Sequence, residues 1–247
     1  MSETASSRIA AVIWDFDGTL VDTRAKNMAV NRVIVEEITG RPWSDWPVLQ
    51  SLAEYERLLR RVRNWRDLYM TEFGLSASDT DRAGSMWGAL QAADRTPAPV
   101  FDGISATLDA LTAMPHGIVS QNSSATIADL LGAVGLGDRF ATIIGYEEVG
   151  RDRQKPDPEG LLACLETLLE PRGGAVLFVG DHPTDTECAV LANEALGADD
   201  EPRVLAVAAC FGDVCDADEW STRPHFVARH PSDVAAIVRA QAAPHSK

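Results

Sequence analysis

Hydrophobic positions along this 247-residue chain follow two rhythms, and the change between them divides it. Ile9 to Trp14 is an uninterrupted apolar run, the pattern of a strand covered on both faces. From Arg24 to about Asp94 no such run recurs, and apolar residues return every three or four positions. Met28, Val30, Ile34 and Ile38 define one apolar helix face that ends near Gly40-Arg41-Pro42. Leu49, Leu52, Tyr55, Leu58, Val62, Trp65, Tyr69 and Phe73 predict a longer amphipathic helix stopped by Gly74. Ser78 or Asp79 is placed to cap a third helix running to about Ala93. Thr96-Pro97-Ala98-Pro99 reads as a stiff return hinge.

Beyond that hinge the two rhythms alternate. Helices are predicted from Gly103 to Met114, Thr126 to Val134, Pro158 to Leu169, Thr184 to Leu196 and Ser232 to Ala242. Strands are predicted at Ile118-Val119, Phe140 to Ile144, Ala175 to Val179 and Val204 to Ala208. Such alternation specifies an α/β fold, a parallel sheet with crossover helices on its faces. Residues 1–23 and 96–247 are expected to form this core, and 24–95 an inserted helical domain.

Chemistry concentrates where the apolar runs stop. Asp15-Phe16-Asp17-Gly18-Thr19 ends the first run with two carboxylates one residue apart. In open parallel sheets the carboxyl edge of the strands is where ligands bind. Two acids there repel unless a cation or a shared proton holds them. Gly117-Ile118-Val119-Ser120-Gln121-Asn122 delivers a hydroxyl from a second strand, and Gln154-Lys155-Pro156 an ammonium from a proline-bounded loop. Val179-Gly180-Asp181-His182-Pro183-Thr184-Asp185 repeats the opening theme of strand, glycine and acids. Together they suit a phosphoryl group bound with a hard divalent cation.

These four motifs, in this order, resemble the haloacid dehalogenase-like hydrolase superfamily, in particular its phosphoglycolate phosphatase-like branch. The resemblance implies a Rossmann-like core and makes the inserted block an α-helical cap domain. It implies that Asp15 attacks phosphorus and that Asp17 serves as general acid and base. It implies Mg²⁺ held by Asp15, the backbone carbonyl of Asp17 and Asp181, with Asp185 bound directly or one layer out. Gly18, Thr19, Ser120, Gln121 and Lys155 would hold the phosphoryl oxygens. A carbon–halogen leaving group needs no proton, so a second carboxylate at Asp17 favours phosphoryl chemistry over dehalogenation. The second motif departs from the usual Thr-Asn or Ser-Asn by reading Ser120-Gln121-Asn122. A sugar-phosphate mutase of the same superfamily, or a binding module that kept the fold, is the alternative.

Charge and cysteines narrow the partners. A formal net charge of -15 argues against nucleic acid and leaves a small phosphorylated metabolite as the expected ligand. The four cysteines form no metal-binding spacing, and Cys210 and Cys215 are expected to remain reduced. No signal peptide or membrane span is read, so a cytoplasmic monomer or homodimer is expected. Arg57, Arg60, Arg61, Arg63 and Arg66 gather in the helical block among Glu54, Glu56 and Asp67. They read as a solvated, salt-bridged face, with Arg57, Arg60 and Arg61 the candidates to bind an acidic group of the substrate. Trp43, Trp46, Trp65, Tyr69 and Trp87 are expected to glue the block together. His182 is expected either to touch substrate or to hold its own loop.

Overall fold

A computed structural model describes residues 8–150, 153–169, 174–198, 203–212 and 217–242. The chain divides into two compact units, Met1–Leu20 with Val100–Lys247, and Val21–Pro99.

The first unit is built on six parallel strands: β1 (Ile9–Trp14), β2 (His116–Val119), β3 (Thr142–Ile144), β4 (Ala175–Gly180), β5 (Val204–Ala209) and β6 (Phe226–Ala228). Their order across the sheet is β3-β2-β1-β4-β5-β6. This is a Rossmann-like α/β sheet, and its order explains the continuous apolar run of β1. The strand is central, paired with β2 on one side and β4 on the other. Ala11, Ile13, Val176 and Phe178 pack in one apolar cluster with Leu161, Leu165 and Ala189 of the helices Glu159–Leu169 and Pro183–Ala195. The alternate residues Val12, Trp14, Leu177 and Val179 are equally buried, so the opposite face is covered too. The chain works outward from β1 to β3, then crosses back to β4. That reversal puts a crevice between the carboxyl ends of β1 and β4, the place where such sheets bind ligands. β6, only three residues beside His225 and Pro224, was not legible as a strand.

The Val21–Pro99 unit is helical. Its main helices are Arg24–Thr39, Leu52–Leu59 and Ala77–Ala93. The long helix predicted from Leu49 to Phe73 is broken. Asn64 adopts an extended backbone and its side chain accepts from Asp67 N, restarting the chain as the short helix Trp65–Asp67 followed by a π turn, Leu68–Glu72. A local side-chain acceptor competes with the continuous ladder here. The apolar period survives because Tyr55, Leu58, Val62, Tyr69 and Phe73 still share one core. Aromatic edges run through it, Trp46 on Phe73, Phe73 on Tyr69 and Tyr69 on Trp65. Ser76, rather than Ser78 or Asp79, caps the last helix by accepting from Asp79 N. Asp22 N donates to Pro99 O at 2.8 Å and ties the two ends of this unit together.

Cys164 and Cys188 are buried free thiols, and burial pushes Cys164 up to about 12. Cys210, expected to be reduced, is instead disulfide-bonded, and Cys215 lies outside the described residues. No described helix is long and apolar enough to cross a membrane.

Candidate active site

The register of the sheet brings the motifs together. Trp14 is level with Ile118 of β2 and Val179 of β4, so all three strands end at one height. Asp15 is still tied to the sheet, its N–H donating to Val179 O at 2.8 Å. Asp17 follows on the turn, Ser120 leaves β2, and Asp181 follows Gly180. The strand-end glycines do more than punctuate. A Cβ on Gly18, whose φ is +79°, would stand 2.1 Å from Asp181 Oδ2. A Cβ on Gly180 would stand 2.3 Å from Asp185 Cγ. Each glycine leaves the volume that a carboxylate fills.

Lys155 is the electrostatic centre. Its ammonium donates to Asp15 Oδ1 and to Asp185 Oδ1, both at 2.6 Å, and all three residues are buried. Burial works against this cation, but the two carboxylates outweigh burial and keep the amine protonated, above its ordinary range. Burial pushes Asp15 up to about 7, with Lys155 pulling it down and Asp185 pushing it further up. Burial and the charges of Asp15 and Asp185 likewise hold the carboxyl of Asp181 well above the usual range. Three carboxyl groups therefore share one ammonium, and a further cation on their oxygens would take the place of the protons that Asp15 and Asp181 hold.

Oxygens of Asp15, Asp181 and Asp185 lie within 4.8 Å of one another, a spacing that fits a hard divalent ion. Asp181 is partly exposed and accepts a long bond, 3.4 Å, from Thr19 Oγ1. Asp185 is more committed, because its Oδ2 accepts from His182 N at 3.0 Å while Oδ1 holds Lys155.

The second motif divides its labour. Ser120 Oγ accepts from Asn122 N at 3.2 Å, so the hydroxyl hydrogen is left for another acceptor. Gln121 spends its amide on the Lys155 carbonyl at 3.1 Å, which holds the lysine loop. Asn122, which carries no predicted role, donates Nδ2 to Asp17 Oδ2 at 3.0 Å. Its place two residues after Ser120 sets it at the same sheet edge, but nothing in the sequence aims it at Asp17. His182 caps the Pro183–Ala195 helix, accepting from Thr184 N, so it holds its own loop.

Arginines of the helical unit have partners within it. Arg57 pairs with Glu54 at 2.7 Å and Arg66 with Asp81 at 2.7 Å. Arg61 and Arg63 are exposed and Arg60 half-buried.

Residues 9–193 match the family model of haloacid dehalogenase-like hydrolases. An N-acetylmuramic acid 6-phosphate phosphatase of Pseudomonas putida is 29% identical over 191 residues, covering 73% of this chain and 78% of the relative. A phosphoglycolate phosphatase of Escherichia coli is 27% identical over 209 residues, covering 73% and 77%. The solved structure of a haloacid dehalogenase-like family hydrolase from Streptococcus pneumoniae superposes with a TM-score of 0.69 at 20% identity, covering 93% of this chain and 98% of the other.

Proposed function

This chain belongs to the haloacid dehalogenase-like hydrolase family, and from that premise we propose that it is a Mg²⁺-dependent phosphatase of small phosphorylated metabolites. The observation that carries the reading is the buried Lys155 ammonium set 2.6 Å from both Asp15 and Asp185, at the strand edge that also presents Asp17. A phosphate monoester brings negative charge to a negative nucleophile, so the site needs cations on both. Lys155 supplies one, and the oxygens of Asp15, Asp181 and Asp185 are the donor set for the other. Bound there, Mg²⁺ would act as a Lewis acid on the phosphoryl oxygens.

The protein's own groups then have distinct tasks. Asp15 forms a bond to phosphorus as the bond to the leaving oxygen breaks, and Asp17 gives that oxygen its proton. Asp17, now a carboxylate, takes a proton from the water that attacks the aspartyl-phosphate, and phosphate departs with Asp15 restored. Ser120 and the N–H groups of Gly18 and Thr19 hold the equatorial oxygens, while Gln121 fixes the lysine loop. The two named relatives act on phosphate esters of organic acids. The substrate class proposed here is the same, a phosphomonoester whose leaving alcohol carries a carboxylate. Arg57, Arg60 and Arg61 are the candidates to bind it.

The test is phosphate release from a panel of phosphorylated acids, sugars and nucleotides, with Mg²⁺ and with EDTA. Mg²⁺-dependent release concentrated on the acids, without interconversion of phosphate isomers, is the expected result. Alanine at Arg57, Arg60 and Arg61 in turn should raise KM for the acid in at least one variant. Unchanged KM in all three would remove the arginines from substrate binding.

A further inference from the structure

The second motif contains a side chain that the proposed chemistry has not yet used. Asn122 is buried, and its other polar atoms are committed locally. Its N–H donates to Ser120 Oγ, its carbonyl accepts from Tyr146 N at 3.1 Å, and its Oδ1 accepts from Ser123 N at 2.8 Å. The bond from Ser123 also settles the orientation of the carboxamide, since an amide nitrogen cannot accept it. Nδ2 is therefore turned to Asp17, which stands 105 residues away in sequence and receives it at Oδ2, 3.0 Å off.

Such a bond restrains Asp17. The residue is only partly buried, it follows the end of β1 on a turn, and the terminal torsion of an aspartate is broad. A proton delivered along one direction requires that torsion to be set. We propose that Asn122 is a positioning residue for the general acid, holding the carboxyl of Asp17 through its bond to Oδ2. In the first half-reaction the proton leaves Asp17 for the departing oxygen as the phosphorus–oxygen bond breaks. In the second it returns to Asp17 from the attacking water as the bond between Asp15 and phosphorus breaks.

This inference rests on Asp17 acting as acid and base, and the experiment separates the two ideas. Rates are measured on p-nitrophenyl phosphate, whose leaving group needs little protonation, and on phosphoglycolate, whose alkoxide needs much. Asn122→Asp keeps the volume and the acceptor for Ser123 N while deleting the donor, and Asn122→Ala deletes both. Each is expected to lower kcat on phosphoglycolate by about 10- to 100-fold, with KM little changed and less than about threefold loss on the nitrophenyl ester. Placed in an Asp17→Asn background, neither should cost more than about twofold further. Equal losses on both esters, or a full loss in the Asp17→Asn background, would overturn the role and make Asn122 a phosphate ligand or a loop support instead. Asp17→Asn that itself shows no preference between the esters would remove the acid–base reading beneath it.

Discussion

The two units of this protein differ in how much buried charge they hold together. In the sheet unit, Asp15, Lys155, Asp185 and Asn122 are all buried and all engaged, each across a long stretch of sequence. Thr107 Oγ1 and His116 Nε2 of the sheet unit are buried with no hydrogen-bond partner among the described residues, and so are Asn31 Oδ1, Tyr69 OH, Thr80 Oγ1 and Gln91 Oε1 of the helical unit. In the helical unit such polar atoms ride along on helices held by aromatic and aliphatic packing. The sheet edge is organised around charge, and the helical unit around shape. Substitutions should sort the same way.

The largest effect is expected at Lys155. Lys155→Met leaves two buried carboxylates facing each other without their ammonium, and breaking a buried pair in this way costs about 3–5 kcal/mol. Urea unfolding without added metal should show that loss, together with loss of phosphate release. Stability within about 1 kcal/mol of the parent would mean that the three groups are not coupled as described.

A smaller effect of defined sign attaches to Asp15. Its carboxyl is raised to about 7, so between its unfolded range, about pH 4, and pH 7 the folded protein holds a proton the unfolded chain has released. Stability in EDTA should therefore fall as pH rises through that window. A cation on the same oxygens takes the place of the proton, and the gain in Tm on adding Mg²⁺ should be larger at pH 8 than at pH 5. Equal gains at the two pH values would contradict this.

The helical unit should be forgiving by comparison. Tyr69→Phe removes a hydroxyl that has no partner, and its stability is expected to stay within about 1 kcal/mol or to rise. A loss of several kcal/mol in a thermal or urea melt would show that the hydroxyl is bonded after all. The smallest change is expected at Arg57, whose exposed pair with Glu54 is worth about 0.2–1 kcal/mol. A measurable collapse of the unit in Arg57→Ala would break the comparison.

Much of the sheet unit could be read in advance because its elements announce themselves locally. A central strand covered on both faces cannot hide its apolar run, and Asp15, Ser120, Lys155 and Asp181 each stand at the end of a recognisable element. Short pieces were harder. β6 has three residues, too few for any period, and the break after Leu59 depends on one side chain, Asn64, whose cap leaves the three-to-four spacing intact. Asn122 stayed dark for another reason. Nothing local distinguishes an asparagine that supports its own turn from one that also reaches across the sheet to Asp17. Only the register of β1 on β2 brings those two together. Gly18 and Gly180 were legible as strand ends, but the carboxylates that need their missing Cβ atoms appear only in three dimensions.

The most direct test of the central claim is to quench the enzyme in acid during turnover of a phosphomonoester, digest it, and search for phosphate on the peptide that contains Asp15. Phosphate on Asp15 in the parent, absent in Asp15→Asn together with all phosphate release, is the predicted result. An Asp15→Asn variant that still releases phosphate, with no modified peptide in the parent, would contradict the nucleophile and the mechanism built on it.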